Sequence, residues 1–340
     1  MVYGAIDLHT TFSQIRIVDA EGAVLRDRRV LTTRDRLVAA FAGHGSMRIL
    51  VEASTESEWV AQALEAAGHE LLIADPNYAP MYGARQRRIK TDRRDTAALA
   101  EANRCGWFRR AHRVSRAQRT IRQQLAVRRQ LVRMRTGLIT QLRALLRQEG
   151  IRLGSGTSAT VAARVTQLQL PAALRAVVAP LVDALTTLTP VIVTTTQALT
   201  RLADADPVAA RLQSAPGVGP IVALTYRATL DEVGRFPGAG HVSSALGLVP
   251  REASSGERRQ RGHITKLGPS EARTMLIQAA WTCWRSRAVR TTALRRWADR
   301  LAARRGKRIA VVALARRLSR ILYALWRDNT GFRTNTVDAA

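Results

Sequence analysis

Two carboxylates three residues apart, Asp92 and Asp95, close the basic run RQRRIKTDRRDTAALA over residues 85–100. TDRRDTAALAEA reads as a helix with Thr91 as its N-cap. That spacing puts both acids on one face, with Cβ atoms about 5–6 Å apart. The helix dipole favours negative charge in a first turn, so two surface acids there need no further cause. As a pair they could also hold a divalent cation. Two more acids stand at the ends of short apolar runs: Asp7 closes VYGAID and Glu52 closes MRILVE. A single acid at a strand end is most often a turn residue. A nucleophile is also on offer. Ser254-Ser255-Gly256 is ringed in sequence by Arg251, Arg258, Arg259, Arg261, His263, Lys266 and Arg273. That is either a solvated loop or a serine whose target phosphate is held by arginines.

The elements that must carry these groups follow from periodicity. VYGAIDLH is a short β-rich run, Phe12 to Val18 alternates, and Glu21-Gly22 predicts a hairpin turn into AVLRDRRVL. Residues 33–43 read as a helix, MRILVEAS as a strand ending at Glu52, and TESEWVAQALEAAG as a helix closed by Gly68. HELLIADP is a fifth strand, and Pro76 is expected to start a helix toward the basic run. The order βββαβαβα predicts a mixed α/β domain. Two strand-end acids with two more on a late helix is how RNase H-like nucleases hold two divalent metals.

Beyond it the chain is helical. A basic helix over 114–150 carries Val127, Leu131, Met134, Leu138 and Leu145 in a heptad frame, with Gln141 in its polar slot. Gly150, Gly154 and Gly156 break it. A second run holds Leu181, Leu185, Leu188, Ile192, Thr195, Leu199 and Leu202, with Pro190 expected to kink or split it. The pair is either an intramolecular hairpin or a coiled coil joining subunits. Pro-Gly-Val-Gly before an apolar helix resembles the hairpin of helix-hairpin-helix DNA binders. There Gly217 and Gly219 would let backbone N–H groups approach a phosphate. From Pro269 on, Trp281, Trp284, Trp297 and Trp326 alternate with arginines, as aromatics packed in a core with Arg outside would. The tail after Phe332 is expected to fray.

Composition narrows the partner. The chain of 340 residues carries 54 Lys+Arg against 26 Asp+Glu, a net charge of +28. That excess points to a polyanion, nucleic acid before membrane. Cys105 and Cys283 offer neither a disulfide framework nor a zinc site. The longest uncharged run, Ala184 to Thr200, reads as too polar for a membrane span. A cytoplasmic, nucleoid-associated protein is expected.

Ile6-Asp7, Val51-Glu52-Ala53 and Lys90-Thr91-Asp92-Arg93-Arg94-Asp95 resemble the Asp-Glu-Asp-Asp domain of the insertion-sequence 110 family of transposases. Ala215-Pro-Gly-Val-Gly-Pro220, Arg235-Phe236-Pro237, Gly247-Leu-Val-Pro-Arg251, Ser255-Gly256 and Ile264-Thr-Lys-Leu-Gly268 are similar to the rest of that family, which includes Piv-type invertases and bridge-RNA recombinases. The resemblance spans about residues 2–327. It implies an α/β + α chain: a RuvC-like, RNase H-like domain over 1–110, a helical coiled-coil linker over 111–205, a mainly α transposase domain over 206–330, and a tail over 331–340. It implies that Asp7, Glu52, Asp92 and Asp95 bind two Mg²⁺ ions, with Mn²⁺ able to substitute, and that Ser255 is the nucleophile. Phosphate contacts would come from Arg85, Arg87, Arg88, Lys90, Gly217, Gly219, Arg251, Arg258, Arg259, Arg261 and Lys266. The implied partners are double-stranded donor and target DNA, a non-coding bridge RNA, and further copies of the chain in a tetramer.

Two departures stand out. Thr10 replaces a lysine common three residues after the first Asp, and Glu56 and Glu58 stand beside Glu52 as competing ligands. Two rival readings accompany the recombinase: a junction resolvase that uses water in place of Ser255, and an inactive nucleic-acid-binding protein.

Overall fold

The computed structural model describes residues 1–78, 91–252 and 261–333. The chain divides into two compact units, Met1–Val114 and Ser115–Ala340.

The first unit is built on a sheet of β1 (Tyr3–Asp7), β2 (Phe12–Val18), β3 (Val24–Leu31), β4 (Arg48–Glu52) and β5 (Glu70–Ala74) in the order β3-β2-β1-β4-β5. β1 runs antiparallel to β2 and parallel to β4, and β4 runs parallel to β5. This mixed order is compatible with an RNase H-like fold. Between β2 and β3 the chain turns at Gly22 (φ +92°), and the Asp19 carboxylate accepts from the N–H groups of Glu21 and Ala23.

Strand alternation sorts the two faces. Ile6, Ile15, Ile17, Ile49, Val51 and Ile73 pack against Leu37 and Phe41 of α1 (Arg34–Phe41) and Val60 and Leu64 of α2 (Ser57–Ala66). Gly4 makes room for this layer, because a Cβ there would lie 2.8 Å from the Phe41 ring. On the other face Ala5, Val18, Leu50 and Leu72 pack against Leu99, Ala100 and Ala102 of α3 (Asp92–Cys105). The helix expected to start at Pro76 is not seen among the described residues: Asp75–Tyr78 form a turn, with Asp75 accepting from the Asn77 N–H at 2.9 Å. Residues 79–90 lie outside the description.

The second unit is helical: α4 (Arg116–Gln148), α5 (Val161–Thr166), α6 (Ala172–Ala205), α7 (Pro207–Leu212), α8 (Pro220–Leu230), α9 (Ala239–Ala245), α10 (Ser270–Arg285), α11 (Thr292–Arg305) and α12 (Lys307–Arg327). A short hairpin of β6 (Pro250–Glu252) and β7 (Arg261–Ile264) is inserted before α10. α4 starts at Ser115, whose hydroxyl caps Gln118 N–H and donates to Asp231 at 2.7 Å.

α4 and α6 form an antiparallel hairpin. Leu125 shares one core with Leu199, while Ile139, Leu142 and Leu146 share another with Val178 and Leu185. The buried stripe on α6 is Val178, Leu185, Ile192 and Leu199, a clean seven-residue repeat. On α4 it is Leu125, Ile139, Leu142 and Leu146. The expected α4 frame is therefore displaced: Val127 and Met134 are exposed, and Leu131, Leu138 and Leu145 are half-buried. On α6 Leu202 is exposed as well.

Pro190 does not split α6, nor does Pro180. Both prolines sit at exposed positions, as do Ala176 and Thr186, whose carbonyls they leave without a helical donor. Threonines stay helical beside them by donating to carbonyls one turn back, as Thr186, Thr189 and Thr196 do. By length and composition alone α6 could cross a membrane, contrary to the reading of its Thr-rich part as too polar. A lone helix of that kind is weak evidence, and this one packs a heptad stripe on arginine-rich α4.

Candidate active site

β1 and β4 are in parallel register with Ile6 beside Val51, so Asp7 and Glu52 end neighbouring strands at the same edge. Alternation then decides their direction. Asp7 shares a face with Ala5, and Glu52 with Leu50, which is the face that α3 covers. Asp92 and Asp95 occupy the first turn of α3, started by Thr91, whose side chain accepts from Arg94 N–H at 3.3 Å. Gly106 (φ +72°) closes the helix.

The charges of acids on all three elements bear on Asp7. Burial raises the Asp7 carboxyl above its ordinary value, and the charges of Asp92, Asp95 and Glu52 raise it further; His9 works the other way. Like charges brought together in this manner favour a cation among them. Asp7 Oδ2 lies 3.4 Å from His9 Nε2, and Asp92 Oδ1 lies 3.7 Å from the same nitrogen. Ligand atoms of Asp7, His9 and Asp92 all fall within 4.8 Å of one another, a spacing and donor chemistry that suit a divalent ion. Asp95 is buried, at 4 % exposure, on the sheet side of its helix.

Glu52 is the glutamate that acts on Asp7. Glu58 is engaged by Arg113 at 3.1 Å, an arginine that Glu65 also binds. Ser54 and Ser57 bond each other's backbone and start α2, placing Glu56 in a helix-entry turn.

What fixes α3 against the strands is a buried amide. Asn103 Nδ2 donates to Gly4 O of β1 and Arg48 O of β4, both at 2.8 Å, and its Oδ1 accepts from Arg48 Nε at 2.9 Å. Arg48 also binds the Asn103 carbonyl. The strands that end in Asp7 and Glu52 and the helix that begins with Asp92 are thus clipped together through one side chain. At the other end of α3, Arg93 binds Asp27 of β3 at 2.9 Å. Burial tends to raise the Asp27 carboxyl, but bonds from Arg93, Arg16 and Gln14 hold it below its ordinary value. Sequence reasoning missed Asn103 and His9. His9 left a trace, since it follows the strand-end acid Asp7 by two residues. Asn103 left none, because its partners, two backbone carbonyls and the Arg48 guanidinium, lie on strands remote in sequence.

In the second unit the motifs around the serine form a backbone clasp. Gly247 (φ +64°) lies so close to Leu267 that a Cβ would fall 2.2 Å from its carbonyl oxygen. A Cβ on Gly268 (φ +73°) would fall 2.1 Å from Ala245 O. Thr265 N–H bonds Val249 O, and Lys266 N–H bonds Gly247 O. Arg273 Nη1 ties the carbonyls of Leu246, Leu267 and Gly268 at 3.1, 2.8 and 3.2 Å. The Gly-Leu-Val-Pro-Arg and Ile-Thr-Lys-Leu-Gly motifs therefore hold each other at the base of the β6–β7 hairpin.

Ser254, Ser255, Gly256, Arg258 and Arg259 lie outside the described residues, as do Arg85, Arg87, Arg88 and Lys90. Arg251 and Lys266 are exposed on the clasped hairpin and its exit, and Arg261 begins β7. Gly217 (φ +78°) is packed under α10, where a Cβ would meet Ala279 O at 2.3 Å; Gly219 caps α8 before Pro220 and faces open space. The tryptophans pack on the helical core, Trp281 stacked on Trp284 at 5.4 Å with Arg285 over Trp281.

Comparison with known sequences places both halves in one setting. Residues 5–150 match a sequence family described as "Transposase", of the DEDD type of IS110 elements, and residues 209–295 match "Transposase IS116/IS110/IS902 family". The chain is 31% identical over 291 residues to a "Probable family 20 transposase" of Pseudomonas aeruginosa, covering 84% of this chain and 85% of that one. It is 28% identical over 333 residues to the "Transposase for insertion sequence element IS1111A" of Coxiella burnetii, covering 96% and 90%.

Proposed function

The chain belongs to the IS110 family of insertion-sequence transposases, DNA-recombining enzymes, and from that premise we propose that it cuts and joins DNA through a phosphoserine link under the guidance of a structured RNA. The observation that supports this reading is Asp7 beside Asp92, with ligand atoms within 4.8 Å, and the charges of Glu52 and Asp95 also bearing on Asp7, in a chain of this family. These four acids would hold two divalent ions, Mg²⁺ with Mn²⁺ as substitute. Such ions supply charge stabilisation for the scissile phosphate and the leaving oxygen.

Ser255 is the nucleophile. Its hydroxyl oxygen bonds to phosphorus as the bond from phosphorus to the 3′-oxygen breaks; the serine proton passes to solvent, and solvent returns one proton to the leaving oxygen to give a free 3′-OH. The 5′-phosphoserine link keeps the bond energy, so the partner strand's 3′-OH can attack it and release the serine without ATP. Arg251 and Lys266, with Arg258, Arg259 and Arg261, neutralise the phosphates on the strand being joined. Arg85, Arg87, Arg88 and Lys90, ahead of the acid-bearing helix, and the turn at Gly217 and Gly219 add further phosphate contacts. The bridge RNA pairs with donor and target duplexes, and four copies of the chain assemble, drawing on the exposed apolar residues Val127, Met134, Val191 and Val193 of the α4–α6 hairpin.

The deciding experiment traps the reaction in denaturant with labelled DNA and sequences the labelled peptide. Ser255→Ala loses the adduct while keeping DNA and RNA binding; Ser254→Ala keeps it. Cleavage by Ser255→Ala that leaves a free 5′-phosphate would establish water as the nucleophile. Loss in Ser254→Ala alone would move the assignment by one residue.

A further inference from the structure

We propose that His9 is a fifth donor to the metal site, a nitrogen ligand beside Asp7 and Asp92, and that it tilts the site from Mg²⁺ toward Mn²⁺. This rests on the metal-binding reading of the four acids. The geometry is the first argument. His9 Nε2 stands 3.4 Å from Asp7 Oδ2 and 3.7 Å from Asp92 Oδ1. Both distances exceed the roughly 2.7–3.2 Å of a formed hydrogen bond, so the ring is not simply bonded to either acid. Two donors bound to one ion at about 2.1 Å lie about 3 Å apart when adjacent and about 4.2 Å apart when opposite. The measured separations exceed the adjacent spacing by about 0.4 and 0.7 Å, a gap that a small turn of the half-exposed ring would close.

Position is the second argument. His9 follows the last residue of β1 by two, so it sits at the strand edge where Asp7 emerges. The ring is half-exposed, at 53 %, leaving it free to turn without disturbing a core. Donor chemistry is the third. Imidazole nitrogen suits first-row transition ions rather than Mg²⁺, and Mn²⁺ is the one of them that shares with Mg²⁺ a preference for carboxylate oxygen.

A competing arrangement has an imidazolium lodged between the two carboxylates as a stand-in cation. It predicts the opposite effect of removing the ring, because an ion would then no longer have to displace it. The test uses the full chain without nucleic acid. Free Mn²⁺ is followed by electron paramagnetic resonance during titration of the wild type, His9→Ala, His9→Gln and Asp7→Asn, with Mg²⁺ affinity read by competition. Pulsed measurements report nitrogen coupled to bound Mn²⁺.

The expected result is a nitrogen coupling in the wild type that both His9 variants lose. Mn²⁺ affinity should fall about tenfold in them, with Mg²⁺ affinity changed less than threefold. Bound Mn²⁺ with no nitrogen coupling, or equal or tighter binding by His9→Ala, overturns the proposal and leaves the acid site standing. Absence of any Mn²⁺ binding that Asp7→Asn removes overturns the metal reading itself, and His9 with it. Circular dichroism of each variant checks that the fold is retained.

Discussion

The acid cluster of the first unit and the clasp of the second are opposite ways of building a candidate site. The cluster gathers charges that repel, on strand ends and a helix start that other residues hold in place. The clasp has almost no charge chemistry of its own. It is backbone against backbone, made possible by two glycines and tied by one arginine. The first kind of region can lose its key side chains and keep its fold. The second cannot, because its key atoms are the fold.

Substitution at the acids is the sharpest way to probe that contrast. Asp92→Asn or Asp95→Asn is expected to abolish strand exchange while melting no lower than wild type in EDTA. A recombination assay beside a thermal melt checks both halves. Recombination at the wild-type rate would remove that residue from the site.

Gly247→Ala is the mirror experiment. The new methyl meets Leu267 backbone in a left-handed conformation, so a loss of about 3 kcal/mol or more is expected, read by urea unfolding of the full chain. A variant as stable as wild type would show that the clasp opens at little cost.

Asn103→Ala should cost about 2 kcal/mol, since it leaves Arg48 and two buried carbonyls short of partners. Its loss of strand exchange should exceed what the lost stability explains. Equal losses would make Asn103 a packing residue only.

The smallest effect concerns Asp7 and has a definite sign. Its folded value is raised above 3.8, so in metal-free protein the folded state is penalised at neutral pH and relieved as pH falls through that raised value. Asp7→Asn should therefore melt higher than wild type in EDTA at neutral pH. The gap should close on acidification toward the ordinary carboxyl range. A gap that widens in acid would reverse the assignment.

The two regions also differed in how far the sequence displayed them. The acids could be read because strand alternation and an i, i+3 helical spacing fix direction from residue order alone. The strands themselves follow from the same alternation. The clasp could not be read in this way: Gly247 and Leu267 stand far apart in the chain, and no local pattern announces a contact between backbones. The α4–α6 hairpin lies between these cases. A heptad was legible, but α4 carries apolar residues in two frames, Leu125-Ile139-Leu146 and Val127-Met134-Leu138. Periodicity shows that a helix has an apolar stripe, not which stripe the neighbouring helix will take. That Pro190 leaves α6 unsplit could not be read for a related reason. The cost of a proline depends on whether the freed carbonyl meets water, and that depends on the face.

The amide of Asn103 makes α3 a lever. Eleven residues separate it from Asp92, about 16 Å along a helix axis. A tilt of some four degrees about the clipped end would swing the first turn by about 1 Å, a displacement that can cost a hundredfold in rate where reacting groups must be aligned. The far end is steadied by the Arg93–Asp27 pair, and Arg93 is itself largely exposed to solvent. Whatever grips or releases that guanidinium, salt or a passing phosphate, therefore acts at the long end of the arm, where a weak pull moves the carboxylates most.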